Sequence, residues 1–391
     1  MPWREVSAME ERRAFVRLAM LEGANRRELC RRFGISPDVG YKWLARAALG
    51  DEALTDRSRR PHESPGRCSA RIEAAVVAAR QAHPAWGARK LKAWLEARGT
   101  AAPAVSTVHA ILRRHGLVEA FPVSPGKAWT RFEKSQPNEL WQMDFKGWIK
   151  LTNGERCHPL TILDDHSRFS TGLKACADQR GPTVQAHLEQ AFRHHGLPQA
   201  FFVDNGPPWG EASGERWTRL AVWLLKLGVQ VLYSRPYHPQ SRGKIERFHR
   251  SLAAEVFDLQ PFDSFAQVQR ALDRWRELYN HERPHEALDL ACPTRRYRTS
   301  PRPMPSRPPE PQYDSADIVR TVSTTKAYVQ FKGRLWRVPK AFQGETLALR
   351  PLQRDGLYGV FFASHQVATI DLTKPKSVSH VSEQVSAISP V

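Results

Sequence analysis

The sequence predicts a multidomain chain with all-α helix-turn-helix units at the N-terminus, an α/β core and a small C-terminal β-barrel. Three observations predict it: short, capped helical segments early in the chain, apolar strands alternating with helices through its middle, and closely spaced short strands behind a proline-rich stretch. At 391 residues the chain is too long for one ordinary core.

The N-terminal elements come first. In "MEERRAFVRLAMLEG", Phe15, Leu18, Ala19 and Leu21 recur at helical spacing and Gly23 supplies a stop. A second helix is expected at "RRELCRRFG". A third starts at "SPDVGYKWLARA", with Ser36 as cap and Pro37 in the first turn. Three short helices with a glycine turn before the last make a helix-turn-helix pattern over 1–54, which would present Tyr41, Lys42 and Arg46 to DNA. Residues 55–69 form a basic linker whose Arg57, Arg59 and Arg60 suit phosphates or a minor groove. A second helix-turn-helix-like unit spans 70–120, its last helix capped by Ser106 or Thr107 and ending in Arg113 and Arg114.

After a connector at 121–137, the core over 138–292 begins with "ELWQMDFKGWI", where Trp141, Met143 and Phe145 alternate with Gln142, Asp144 and Lys146. Strands follow at "HPLTILDDHSRF", "QAFFVDNG" and "VQVLYSRP", with helices between them. A helix from Lys244 to Leu259 carries Ile245, Phe248, Leu252, Val256 and Leu259 as its core stripe. Trp141, Trp148, Trp209, Trp217 and Trp223 read as core. Residues 293–312 form a stiff proline-rich linker, 313–375 a small β-barrel and 376–391 a disordered tail.

Composition narrows the partners. The formal charge is +19, from 59 Lys and Arg against 40 Asp and Glu, and points to a polyanion, nucleic acid before a membrane surface. No apolar run approaches a membrane span, and the first residues lack the apolar stretch of a signal peptide, so a cytoplasmic protein is expected. The five cysteines are scattered without a CxxC pair, which argues against a disulfide framework and leaves Cys157 and Cys176 as packing residues. His194 and His195 in "RHHG" read as a helix-end surface.

Three carboxylates sit at edges of core elements: Asp144 on the polar face of a strand, Asp204 where a buried strand meets an Asn-Gly turn, and Glu246 in the first turn of a helix. Convergent acids repel and would hold their protons unless cations were present. Two hard divalent ions such as Mg²⁺ resolve that repulsion and suit phosphoryl transfer. Asp164 and Asp165 in "LDDHSR" are rival acids, read as a hairpin turn.

Asp144 in "LWQMDFKG", Asp204 in "FVDNG" and Glu246 in "YHPQSRGKIERFHRSL" resemble the DDE triad of bacterial insertion-sequence transposases in the retroviral-integrase superfamily. "DRSRRPH", "WGARKLKAWL" and "RFEKSQPNELWQMDFKG" extend the resemblance toward the N-terminus. It implies an RNase H-like core, two bound metal ions, double-stranded DNA as both transposon end and target, and a homo-oligomer at synapsis. It also implies hydrolysis at the 3′ ends followed by direct attack of the 3′-hydroxyl on target DNA, in a nucleoid-associated protein. Asn205 would shape the active-site turn, with Gln240, Ser241, Arg242, Lys244 and Arg250 near DNA. Ala253 stands where relatives often carry a basic residue, and the 41 residues between Asp204 and Glu246 exceed the usual interval. A non-catalytic transposase-derived DNA-binding regulator is the alternative.

Overall fold

Small polar side chains start the helices of the first of two units, Met1–Arg67. The computed structural model describes residues 7–57, 67–118, 133–210, 217–233, 243–375 and 380–383. Helix α1 (Ala8–Ala19) opens on a capping box in which Glu10 N donates to Ser7 Oγ and Ser7 N donates to the Glu10 carboxylate. Asn25 caps α2 (Arg26–Arg32), and Ser36 caps α3 (Pro37–Ala47) with Pro37 at its first position, as the sequence predicts. The three helices enclose Phe15, Val16, Cys30 and Trp43. Gly40 permits their close approach, because a Cβ there would stand 2.4 Å from Cys30 Sγ and 3.0 Å from the Phe15 ring.

The second unit, Cys68–Val391, opens with α4 (Ala70–Ala82), α5 (Ala88–Ala97) and α6 (Val105–Arg114), packed around Val76, Trp86, Leu91, Val108 and Ile111. Ser69 caps α4, but α5 and α6 have no side-chain cap. Ser106 and Thr107 fall inside the first turn of α6, so the expected cap is corrected to an uncapped start at Ala104. Leu278, from far along the chain, joins this apolar cluster, and Arg98 pairs with Glu282.

The sheet of this unit comprises β1 (Leu140–Phe145), β2 (Ile149–Lys150), β3 (Arg156–Asp164), β4 (Ser170–Cys176), β5 (Ala200–Val203) and β6 (Gln230–Tyr233). Its rows run β4-β3-β1-β5-β6, with β2 continuing along β3 after the chain breaks at Gly147, φ +98°. Strands β1, β3 and β4 pair antiparallel, whereas β1, β5 and β6 pair parallel. Helices α7 (Gly181–His195) and α8 (Arg219–Lys226) cover one face through Leu188, Phe192, Leu220 and Leu224 against Trp141, Met143, Phe201 and Val203. Helices α9 (Gly243–Leu252) and α10 (Phe265–His281) cover the other through Phe248, Leu252, Leu272 and Trp275 against Leu163 and Leu173. This is the expected α/β core with helices on both faces.

Several expectations need correction. Helix α9 ends at Leu252, and a π turn over Ala253–Phe257 adds a residue to the helical period. Ile245, Phe248, Leu252 and Val256 therefore stay buried while Leu259 is 55% exposed. Trp148 is exposed, with Arg156 4.4 Å over its ring, rather than in the core. His195 is half-buried against Trp141, Phe169 and Tyr297, and burial lowers its pKa to about 4. All five cysteines are free thiols, and burial pushes Cys157 and Cys176 up to about 12.

The proline-rich segment is strapped to the core. Ser300 N donates to His195 O, Leu197 N donates to Arg302 O, and the Arg302 guanidinium donates to the carbonyls of Pro198, Leu227 and Gly228. Gly196 (φ +73°) admits the strap, since a Cβ there would lie 2.6 Å from Ser300 O. Beyond it run β7 (Ile318–Thr321), β8 (Tyr328–Phe331), β9 (Arg334–Arg337), β10 (Thr346–Pro351), β11 (Leu357–Phe362), β12 (His365–Asp371) and β13 (Ser382–Glu383). Among the described residues these form an open antiparallel sheet, β13-β12-β11-β10-β7, and a separate β8-β9 hairpin, not a closed barrel. The chain leaves β7 and turns through Ala327 at φ +56° before β8, and the hairpin packs Val329, Phe331 and Trp336 into the core it shares with the sheet, with one bridge from Arg337 to His380. Of the expected tail, 376–379 and 384–391 lie outside the described residues. No helix among the described residues is long and apolar enough to cross a membrane.

Gly40→Ala should destabilise the first unit by about 1–3 kcal/mol, because the added methyl overpacks the Cys30–Phe15 contact. Urea unfolding of the full chain, followed by proteolysis between α1 and α3, would show the earlier loss. An unchanged midpoint would mean the helices separate without penalty.

Candidate active site

Parallel pairing of β1 with β5 aligns Leu140 with Ala200, Trp141 with Phe201 and Gln142 with Phe202. Carried two positions past the last paired residues, the same register would set Asp144 level with Asp204, just beyond the end of β5. Side-chain alternation then assigns the face. Trp141, Met143, Phe201 and Val203 point into the cluster under α7 and α8, so Asp144 and Asp204 belong to the opposite face, with Leu140 and Phe202. Both acids are half-buried, and Gly206 N donates to Asp204 Oδ1 at 3.1 Å, the start of the turn that carries exposed Asn205.

Helix α9 docks on that same face. Its Phe248 and Leu252 pack with Leu163, and His249 meets Thr161 of β3, the strand paired with the one that carries Asp144. Thr161, directly opposite Asp144 across the β1–β3 pair, donates Oγ1 to Asp144 O at 2.8 Å and lies 2.8 Å from His249 Nε2. Glu246 is exposed and sits one helical turn before His249. Among the described residues no three of His, Cys, Asp and Glu are grouped to hold a metal ion, so Glu246 is not gathered with Asp144 and Asp204. The two aspartates alone offer hard oxygen donors, which fit Mg²⁺ because that ion keeps waters and takes one or two protein carboxylates beside substrate phosphates.

Asp164 and Asp165 do form the hairpin turn, and they are fully buried. Asp164 accepts from Asn138 N, Ser167 N and Ser167 Oγ, while burial raises its pKa against those hydrogen bonds. Asp165 accepts from Lys134 N, Gln142 Nε2 and Lys244 Nζ, the last at 2.6 Å. Lys244, expected beside DNA, thus has its ammonium at the core, and burial lowers its pKa to about 8 despite Asp165. The composition of "LDDHSR" signals a turn, but nothing local signals that Asp165 anchors α9 from 79 residues away.

Two models described as integrase core domain match residues 134–239 and 227–293. A model of the IS481 family transposase C-terminal domain matches 317–378, a homeodomain-like model 39–112 and a helix-turn-helix model 11–62. The uncharacterized 31.7 kDa protein of insertion element IS407 from Burkholderia multivorans is 28% identical over 54% of this chain and 74% of its own length. The uncharacterized 39.2 kDa protein of insertion element IS476 from Xanthomonas euvesicatoria is 31% identical over 42% of this chain and 46% of its own. The chain belongs to the integrase-core superfamily of insertion-sequence transposases. The HTLV-2 integrase catalytic core domain, solved with magnesium, covers 42% of the chain at 14% identity and a TM-score of 0.32, too loose a likeness to bear on its chemistry.

The remaining candidates divide by their surroundings. Tyr41, Lys42 and Arg57 are exposed. Arg46 stacks 5.0 Å from the Trp43 ring and reaches Thr55 O. Arg113 and Arg250 are exposed, whereas Arg114 pairs with the nearly buried Glu73 at 2.6 Å. Arg59, Arg60, Gln240, Ser241 and Arg242 lie outside the described residues. The sequence did not single out His249, whose signal is its place one turn beyond Glu246 on the same helix.

Lys244→Met should destabilise the protein by about 3–5 kcal/mol, since it leaves the Asp165 carboxylate buried without its cation. Adding Asp165→Asn should restore part of that loss in a denaturant melt. Equal melts for all three proteins would remove the anchoring role.

Proposed function

We propose that the protein is a DDE transposase that binds the terminal inverted repeats of its element as a homo-oligomer, cleaves their 3′ ends by hydrolysis and joins them to target DNA by direct transesterification. The shared level and shared face of Asp144 and Asp204, with α9 docked on that face, carry this reading. Asp144 and Asp204 would hold two divalent ions, Mg²⁺ or Mn²⁺, between them, and Glu246 would bind one. When bound, such ions stabilise charge on a phosphate and acidify an attacking water or 3′-hydroxyl.

The chain's own residues position the chemistry. On this reading the β1–β5 pairing would hold the two aspartates in place before DNA arrives, leaving little reorganisation for the reaction itself. Thr161 and His249 hold the helix bearing Glu246 against β1. Arg250, exposed on that helix, offers a phosphate contact where Ala253 cannot. Gln240, Ser241 and Arg242 would extend that contact, while Tyr41, Lys42, Arg57 and Arg113 serve the N-terminal readers. The surplus of 59 basic over 40 acidic residues supports double-stranded DNA as partner and a cytoplasmic, nucleoid-associated site of action.

A non-catalytic transposase-derived regulator is the second reading, favoured by the lack of a three-residue metal group among the described residues. Strand transfer with duplexes copied from the DNA flanking the gene separates the two. The transposase reading expects joining in Mg²⁺, abolished by EDTA, and a loss of about 10³-fold or more in Asp144→Asn, Asp204→Asn or Glu246→Gln with duplex binding retained. Tight binding without transfer, or full transfer by Asp204→Asn, would overturn it.

A further inference from the structure

A cleft of about 440 Å³ lies where α5 and α6 begin, with Glu286 of the segment after α10 in its lining. Both helices are ten residues long, and neither start has a side-chain cap, so their first backbone amides are without intrahelical partners at the cleft. Two positive helix ends meeting at one cavity favour an anion. Arg89, Ser106 and His109 line the same space.

The second observation is Lys90. It lines the cleft, is 9% exposed, and makes no hydrogen bond or ion pair among the described residues. The stem is buried, while the ammonium is not among the atoms shut off from solvent, so it opens on the cleft it lines with no protein anion to meet it. Its surroundings add to the demand for negative charge. Burial and the nearby Arg283 and Arg247 bring its pKa down to about 8, although Glu255 and Glu286 act the other way. Glu286 is exposed and forms no ion pair with Lys90, so the lysine is left to an incoming anion.

We propose that this cleft seats one phosphodiester of double-stranded DNA, held by Lys90 and the amide ends of α5 and α6, at the junction of the second helical group and the core. The inference rests on the reading of the chain as a DNA-binding transposase and deepens it. A backbone phosphate fixed there ties DNA read by α4–α6 to the unit that holds Asp144 and Asp204. Arg247, which contributes to the field at Lys90, sits beside Glu246 on α9, so the cleft lies on the approach to the catalytic helix. Such a contact carries no sequence information and sets register.

The test is binding of the full chain to a fluorescent DNA duplex over a range of salt concentrations. Lys90→Met should weaken binding roughly tenfold at low salt and flatten the log–log salt dependence by about one ion. Its melting temperature should be nearly unchanged, because methionine keeps the buried stem and removes only the charge that opens on the cleft. Lys90→Arg should keep the slope, and Glu286→Gln should tighten binding by removing the competing carboxylate. Unchanged affinity and slope in Lys90→Met overturn the proposal. Should that variant not fold, unchanged affinity in Glu286→Gln overturns it instead. A wild-type chain that binds no duplex fails the transposase reading as well, whereas normal wild-type binding with indifferent variants fails the cleft alone.

Discussion

The register of β1 against β5 is the constraint on which the rest of the site depends. A strand's side chains alternate with a period of two, so a slip of one residue would send Asp144 or Asp204 under α7 and α8 and leave the other behind. The apolar alternation forbids the slip. Trp141, Met143, Phe201 and Val203 are all nearly inaccessible on the α7 side, and in a slip Trp141, Met143 and Val203 would exchange places with Gln142, Asp144 or Asp204. Burial of those four side chains contributes roughly 1.5–3 kcal/mol apiece, enough to hold the register that also aligns the acids.

Around that pair, buried polar groups do what apolar packing cannot, which is to fix elements distant in sequence at one angle. Asp165 gathers the lead-in to β1, the Gln142 side chain and Lys244 of α9 onto a single carboxylate. Glu133 takes Arg168 and Arg296, which hold its carboxyl below the ordinary value against the burial that would raise it. Below α9, Glu255 accepts from Trp275 Nε1 and from Arg283, and Arg283 also donates to Ser251. Directional contacts of this kind fix orientation at some expense in stability. Here they fix the orientation of α9 against the sheet.

Local pattern made much of this legible. Alternation along "LWQMDF", the Asn-Gly turn after "FFV" and the three-four stripe of "KIERFHRSL" each fix a face from a few neighbouring residues, and the three acids emerge from them. What local pattern hides is tertiary. Asp165 reads as a turn residue until Lys244 arrives from 79 residues away. Lys90 reads as the polar rim beside Leu91 until the fold brings Arg283 and Glu286 near it. Arg114 and Arg46 look available to DNA in a string of letters, yet Glu73 and Trp43 occupy them in part. Short strands at close spacing specify pairing but not closure, and here the β8-β9 hairpin shares a core with the sheet through Val329, Phe331 and Trp336 without a continuous ladder joining the two.

The account stands or falls on whether Asp144 and Asp204 act as one divalent-ion site with Glu246 completing it on DNA. Manganese binding to the full chain, followed by electron paramagnetic resonance with and without duplex, tests that most directly. The account predicts saturable Mn²⁺ binding that is lost in both Asp144→Asn and Asp204→Asn and that tightens on adding DNA only when Glu246 is present. Mn²⁺ binding that is indifferent to both aspartate substitutions would contradict it.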